Sequence, residues 1–198
     1  MLAIHPWVMR WYRNTGLMLF LAGTQMIICL MLAEATYPGY SISENAISDL
    51  GVGPTAPYWI FNGSVFVFGL MAVYAGYLVD SEYGKRLNGI LLVIAGIGAM
   101  GVGVFHEDLG AIHVLMAFLA FFFGGLAAIM THKMIRGPFA IVSIVLGVIT
   151  LSALVFVGAG VHLGIGFGGM ERMIFYPEML WAVGFGGCLM GSSNGIVE

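Results

Sequence analysis

The densest polar cluster of the sequence lies in the stretch 41–51, which reads Ser-Ile-Ser-Glu-Asn-Ala-Ile-Ser-Asp-Leu-Gly. If this stretch is helical, Asn45, Ser48 and Asp49 fall on one face. An amide, a hydroxyl and a carboxylate would then stand together, which is a set that can bind a polar ligand or orient a water molecule. The alternative is a solvated surface with no role in binding.

The same stretch carries signals for both ends of a short helix. Ser41 and Glu44 have the S-x-x-E spacing of a capping box, in which each side chain satisfies a backbone N–H of the first turn. Gly51 can take the left-handed conformation that often ends a helix. The sequence therefore predicts a short amphipathic helix here.

A second group of candidate residues is the run His106-Glu107-Asp108, which is followed by a glycine and then by His113. On one continuous helix, His106 and His113 would be about 10 Å apart, too far to share a metal ion. Across a helical hairpin the two imidazoles can face each other, with Asp108 beside them.

The composition assigns the chain to a class before any motif does. It is 60% hydrophobic and 9% charged, with a mean hydropathy of +0.99, which is too apolar for a soluble domain of this length. A net charge of −3 and few basic residues argue against a nucleic-acid partner. The sequence predicts an integral membrane protein with the lipid bilayer as its environment.

Six apolar stretches are each about long enough to span a membrane, which takes roughly 20 helical residues. We expect helices at 15–34, 58–79, 87–105, 110–130, 139–161 and 173–193. The predicted fold is all-α: a polytopic six-transmembrane-helix bundle, with the short amphipathic helix in the connection between helices 1 and 2. We expect residues 1–198 to form a single integral membrane domain.

The basic residues predict the orientation of this bundle. Six of the seven fall at one end, namely Arg10, Arg13, Lys85, Arg86, Lys133 and Arg136. Because cytoplasmic connections retain Lys and Arg, both termini should be cytoplasmic in a multi-pass protein of the cell membrane. The polar stretches described above then meet at the external face.

Two further acids and one cation belong to the last part of the chain. A glycine-rich, flexible connection is expected to follow His162 and to carry Glu171 and Arg172, with Glu178 inside helix 6. Arg172 is the one external cation, and it should hold the first external connection by an ion pair. Its expected partners are Asp49, Glu44 and Asp108. A carboxylate at the depth of Glu178 is costly and therefore suggests a functional role.

Four motifs in this order resemble the signatures of a prokaryotic membrane family known as domain of unknown function 998. They read Asn45-Ala-Ile-Ser48-Asp49-Leu-Gly51, Asn62 in helix 2, Gly-Val-Phe-His106-Glu107-Asp108 with His113, and Glu171-Arg172 with Tyr176-Pro177 and Trp181. The resemblance covers nearly the whole chain and implies a six-helix bundle, without implying an activity. His106 stands where the family often has proline, so His113 matches its pattern better.

A more distant similarity is to the membrane hydrolases that include alkaline ceramidases and relatives of the adiponectin receptors, which hold zinc by three histidines. That similarity implies a zinc site in which His113, His162 and His106 supply three nitrogens. Zinc would lower the pKa of a bound water for attack on an amide or ester. Asp49 or Glu44, with Ser48 nearby, would orient the water. The chain differs in helix number and histidine order.

Three functions remain open at this stage. The first is a metal-dependent hydrolase of a lipid or amphiphile, whose ligand would also contact Asn45, Asp108, Glu171, Arg172 and Glu178. The second is a non-catalytic subunit or scaffold in a membrane complex or homo-oligomer. The third is a carrier of small solutes or ions that uses Glu178, Gln25 and Asp49 along a polar path.

Overall fold

The computed structural model describes residues 6–191, with side chains described from residue 15 onward. Within this part the chain forms six long helices, and no strand occurs among these residues. The helices are α1 Pro6–Thr36, α2 Ala56–Tyr83, α3 Arg86–Val104, α4 Ala111–Met130, α5 Pro138–Gly158 and α6 Gly166–Gly191. The predicted all-α fold class is confirmed.

Each of these helices contains a segment long and apolar enough to span a membrane, with mean hydropathy between 1.3 and 2.8. In a bilayer the backbone has no water to bond, so apolar segments of this length satisfy their N–H and C=O groups as helices. The protein is therefore a multi-pass membrane protein. The orientation stays a prediction. The side chains of Arg10 and Arg13 and the predicted helix end at residue 193 lie outside the described part.

The helices form a closed ring. Each helix packs against the next one in the sequence, α6 returns to α1, and α4 also contacts α6 across the ring. Three buried apolar clusters fill the interior, one around Trp181 and Phe185, one around Met26 and Phe61, and a smaller one around Met170 and Ile174. This arrangement leaves α6 in contact with α1, α4 and α5.

One end of the bundle carries the connections 37–55, 105–110 and 159–165, and we call it the site end. The predicted short helix over 41–51 is present only at its last four residues. The chain instead makes turns and then a 3₁₀ helix at Ser48–Gly51. The left-handed glycine is Gly53, with φ of +79°, and Gly51 has no positive φ.

The physical reason is a competition for backbone carbonyl groups. Arg172 of α6 donates hydrogen bonds to the carbonyls of Ile42 and Asn45, and the Gly168 N–H donates to the Ser43 carbonyl. A regular helix would need these acceptors for its own N–H groups. Tertiary hydrogen bonds to α6 therefore replace the local helix.

The beginning of α6 is a second correction. The glycine-rich sequence predicts a flexible connection that carries Glu171 and Arg172, but α6 begins at Gly166 and includes both residues. Gly168 is needed for packing, because a Cβ at this position would overlap the Asn45 carbonyl oxygen. The glycines that suggested flexibility therefore allow a helix to lie directly against the 41–47 backbone.

Candidate functional site

Arg172 joins α6 to the connection after α1. Its side chain is buried, with 5% of the residue exposed. It pairs with Glu34 at 2.5 Å and donates to the Tyr40 hydroxyl at 2.8 Å. The other terminal nitrogen donates to carbonyls of Ile42 and Gly168, each at 2.9 Å, and to a third backbone carbonyl.

The sequence predicts that an ion pair of Arg172 holds the connection after α1. Arg172 does contact this connection, and we call Arg172 with Glu34 and Tyr40 the clamp, but the predicted carboxylate partners are wrong. Glu34, at the end of α1, takes the place of Asp49, Glu44 or Asp108. Tyr40 completes the clamp by donating to the Ala46 carbonyl at 2.9 Å. Burial raises the pKa of Tyr40 to about 12, against the opposing effect of Arg172, so the phenol keeps the proton that it donates.

Asp49 organises the backbone around the 3₁₀ helix. One carboxylate oxygen accepts hydrogen bonds from the Asn45 side chain and from the Ala46 N–H, each at 3.0 Å. The Asn45 side chain also accepts from the Ser41 N–H at 3.0 Å. The predicted grouping of Asn45 and Asp49 is therefore present, and the pair holds this loop in shape.

Ser48 lies between acids from two different parts of the chain. Its hydroxyl donates to Glu171 at 3.3 Å, and the adjacent Ile47 N–H donates to the other oxygen of the same carboxylate. Glu107, from the connection between α3 and α4, lies close to both Ser48 and Asp49. Three carboxyl groups, those of Asp49, Glu107 and Glu171, thus surround one serine.

The charged form of Glu107 is unfavourable in this arrangement. Burial raises its pKa, and the nearby Asp49 carboxylate raises it further, while the neighbouring Ser48 hydroxyl opposes the shift. Its Oε2 atom is buried and has no hydrogen-bond partner among the described residues. Glu107 is therefore a carboxyl group suited to holding a proton at this end of the protein.

His113 is the most buried of the predicted metal ligands, with 7% of the residue exposed. Its Nδ1 atom lies 2.7 Å from the Phe105 carbonyl oxygen. A carbonyl only accepts, so Nδ1 carries the proton of this bond. The second ring nitrogen is then left for another partner.

The other two predicted zinc ligands have different surroundings. His106 pairs with Asp108 at 2.5 Å and packs against Tyr58, while His162 packs edge-on against Phe167. No three His, Cys, Asp or Glu side chains within the described residues are grouped so that they could hold a metal ion. The zinc site remains a prediction without geometric support.

An open cleft of about 500 Å³ lies between α4 and α5, with α6 at its back. Its walls are apolar and include Phe118, Leu154 and Val155. The Val155 side chain, on α5, belongs to a residue that is 69% exposed, so the cleft opens toward the membrane side of the bundle. At the site end it is lined by polar residues, namely Ser48, Glu107, His113 and Glu171.

A second, narrower cavity of about 70 Å³ runs inside the ring. It shares Ser48, His113 and Glu171 with the cleft and reaches inward to Glu178, which is 5% exposed. Its remaining walls, from α1, α2, α3 and the rest of α4 and α6, are apolar. The three shared polar residues therefore connect a membrane-facing cleft with the interior of the bundle.

Several predicted site residues lie away from both cavities. Glu44 and Asp108 are exposed, and neither lines the cleft or the cavity. Gln25 is also absent from both linings and donates to the Ser64 carbonyl at 3.1 Å, which joins α1 to α2. The continuous polar path that the carrier hypothesis needs between Asp49 and Gln25 is not formed by these two cavities.

A family model described as a protein of unknown function (DUF998) matches residues 20–187, which is most of the chain. The chain belongs to this family. No curated protein and no solved structure matches it.

Proposed function

We propose that this member of the DUF998 family binds an amphiphile, whose tail lies in the cleft between α4 and α5 and whose head group lies at Ser48, Glu107, His113 and Glu171. The observation that carries the proposal is the cleft itself, which is apolar along its length and polar at one end. Its volume lies in the range of about 300–1,000 Å³ that is usual for small-molecule sites.

The opening of the cleft favours a ligand that arrives from the membrane. Val114 and Val155 line opposite walls and are 65% and 69% exposed. In a bilayer these surfaces face acyl chains, so a lipid tail can enter sideways without crossing water. The tail then moves from one apolar environment into another, so the polar end of the cleft determines the selectivity for the lipid.

The charges at the polar end select the head group. Glu107 and Glu171 contribute carboxyl groups to the lining, and Asp49 lies close behind. The nearby cation, Arg172, is already engaged by Glu34 and Tyr40. A phosphate or carboxylate head would meet like charge, whereas an amine head can donate hydrogen bonds to these oxygens.

The proposal can be tested with three probes of equal chain length, dodecylamine, dodecanoic acid and dodecyl maltoside, added to protein in nanodiscs. We expect dodecylamine to bind most tightly. Glu171→Gln should weaken dodecylamine binding by about 10- to 150-fold, because a charge-assisted hydrogen bond contributes about 1.5–3 kcal/mol. Native mass spectrometry would give the bound fraction. Equal binding of the amine and the acid, or tighter binding of the acid, would refute the proposed head-group chemistry.

A matched pair of variants tests the position of the tail. Leu154→Trp adds a bulky ring to the cleft lining, so it should abolish dodecylamine binding. Ile97→Trp places the same ring on a membrane-facing residue that lines neither cavity, so it should leave binding unchanged. Equal effects of the two variants would place the tail elsewhere.

Hydrolysis of the bound amphiphile is a second candidate, favoured by two residues of the same site. His113 has one nitrogen fixed by the Phe105 carbonyl, which leaves the other available as a general base. Glu107, with its raised pKa, could act as the acid. Release of amine from an N-acyl amphiphile, lost in His113→Gln, would support this function. Loss of amine release after treatment with a chelator would support the predicted zinc site.

A further inference from the structure

Glu178 has surroundings that neither a structural nor a head-group role explains. It lies at the middle of α6, with 5% of the residue exposed, and lines the central cavity. Among the described residues it has no hydrogen-bond or ion-pair partner. A carboxylate left without a counter-charge in the interior of a membrane protein is strongly unfavourable. The group must therefore carry a proton or hold a cation.

The absence of a side chain at Gly124 of α4 leaves space for this carboxyl group. A Cβ added at Gly124 of α4 would overlap the Glu178 Oε1 atom, so the carboxyl lies directly against the α4 backbone. Such a position is too closed on that side for a hydrated cation. A proton needs no extra space, which favours the proton as the species held.

The central cavity gives this proton a way out. Glu171 and Glu178 are seven residues apart on α6, or about 10 Å along the axis, and both line the same cavity. A water molecule needs roughly 10–15 Å³ of such a volume, so 70 Å³ has room for about five. Among the lining residues the titratable side chains are His113, Glu171 and Glu178, while α1, α2 and α3 contribute none.

We infer that Glu178 is a proton-binding site in the interior of the bundle, which exchanges its proton with the site end through water in the central cavity. In one exchange the carboxyl O–H bond breaks, and the proton passes along water to the Glu171 carboxylate. A proton returning by the same route restores the neutral acid. The inference does not depend on the amphiphile, because it concerns the ligand-free protein.

Infrared spectroscopy of the protein in nanodiscs tests both parts of this inference. The wild type should show the C=O band of a protonated carboxyl group, which is lost in Glu178→Gln and shifted in Glu178→Asp. The band should move after transfer to D₂O as a deuteron replaces the proton. Glu82→Gln is the matched control, since Glu82 is another acid within a span and accepts a hydrogen bond from Thr15.

The route is tested by Glu171→Gln, which should slow the deuterium shift of the Glu178 band by at least about tenfold, equivalent to about 1.4 kcal/mol in the barrier. Absence of a band that depends on residue 178 would show an ionised group and overturn the inference. A band that never exchanges would show a sealed neutral acid, and an unchanged rate in Glu171→Gln would rule out the route. If Glu178→Gln does not fold, the shift in Glu178→Asp still decides the assignment.

Discussion

Replacing Arg172 by methionine should destabilise the protein strongly, because it leaves several buried groups without partners. Glu34 loses its counter-charge, and three backbone carbonyls and the Tyr40 hydroxyl lose a donor. Five bonds at about 1.5–3 kcal/mol each would add up to about the whole stability of a typical protein, so we do not treat them as additive. Removal of one partner of a buried ion pair costs about 3–5 kcal/mol, and we expect a loss of that size.

A double-mutant cycle separates the ion pair from the other contacts of Arg172. The variants are Arg172→Met, Glu34→Gln and the two combined, and the free energy of unfolding is measured by titration with SDS in mild detergent. Glu34→Gln removes the charge that Arg172→Met would leave unpaired, so the combined loss should be smaller than the sum, by about 2 kcal/mol. Arg86→Met, at an exposed cation of the opposite end, should change stability by less than about 0.5 kcal/mol.

The reasoning would be refuted by additive losses, within about 0.5 kcal/mol, for the two single variants. It would also fail if Arg172→Met were no more harmful than Arg86→Met. Amide hydrogen exchange gives an independent readout, since residues 41–51 should lose protection in Arg172→Met before the transmembrane helices do.

Two further predictions concern Glu107 and Gly124. Since the pKa of Glu107 is raised in the folded protein, the folded state binds its proton more tightly than the unfolded state does, and the free energy of unfolding should fall as pH rises above the ordinary glutamate range of about 4.3. Glu107→Gln should remove this part of the pH dependence and stabilise the protein near neutral pH. Glu44→Gln, which changes an exposed acid, should do neither. If the pH profile of stability is unchanged in Glu107→Gln, the pKa of Glu107 is not raised in the folded protein. Gly124→Ala should destabilise by about 1–3 kcal/mol through overlap with Glu178, while Gly187→Ala, with open space around it, should be neutral or stabilising by up to about 1 kcal/mol in the same SDS titration. Equal effects of the two glycine substitutions would show that the Glu178 carboxyl does not lie against α4.

The helices could be predicted from the sequence because a membrane imposes one strong rule on each of them. A stretch of about 20 apolar residues must satisfy its own backbone, and the six predicted segments coincide with the six observed ones to within a few residues at most ends. The starts of α1 and α6 are the exceptions, since α1 begins at Pro6 and α6 at Gly166. Gly164 to Gly169 favour a loop by their intrinsic preference, and the contact of Gly168 with the 41–47 backbone outweighs that preference.

The site was harder to predict, since its contacts join residues that are far apart in sequence. Arg172 and Glu34 are separated by 138 positions, and nothing in the spacing of either motif points to the other. The capping signal at Ser41 and Glu44 was real as a local pattern but was overridden by hydrogen bonds from α6. The sequence places Glu107 in a motif with His106 and Asp108, and only the folded chain brings it to Ser48.

The arrangement of α6 explains why a structural clamp and a candidate site occur side by side. Successive residues on a helix point about 100° apart, so Arg172 turns toward Glu34 and Tyr40 while Glu171 turns toward Ser48. Because Arg172 fixes the carbonyls of the 42–45 backbone, it also fixes the Ile47 N–H that binds Glu171. Loosening the clamp should therefore move Ser48 away from Glu171 and disturb the junction of the cleft with the central cavity. A variant of Arg172 that still folds should consequently lose amphiphile binding and slow the deuterium exchange of Glu178, although Arg172 lines neither cavity.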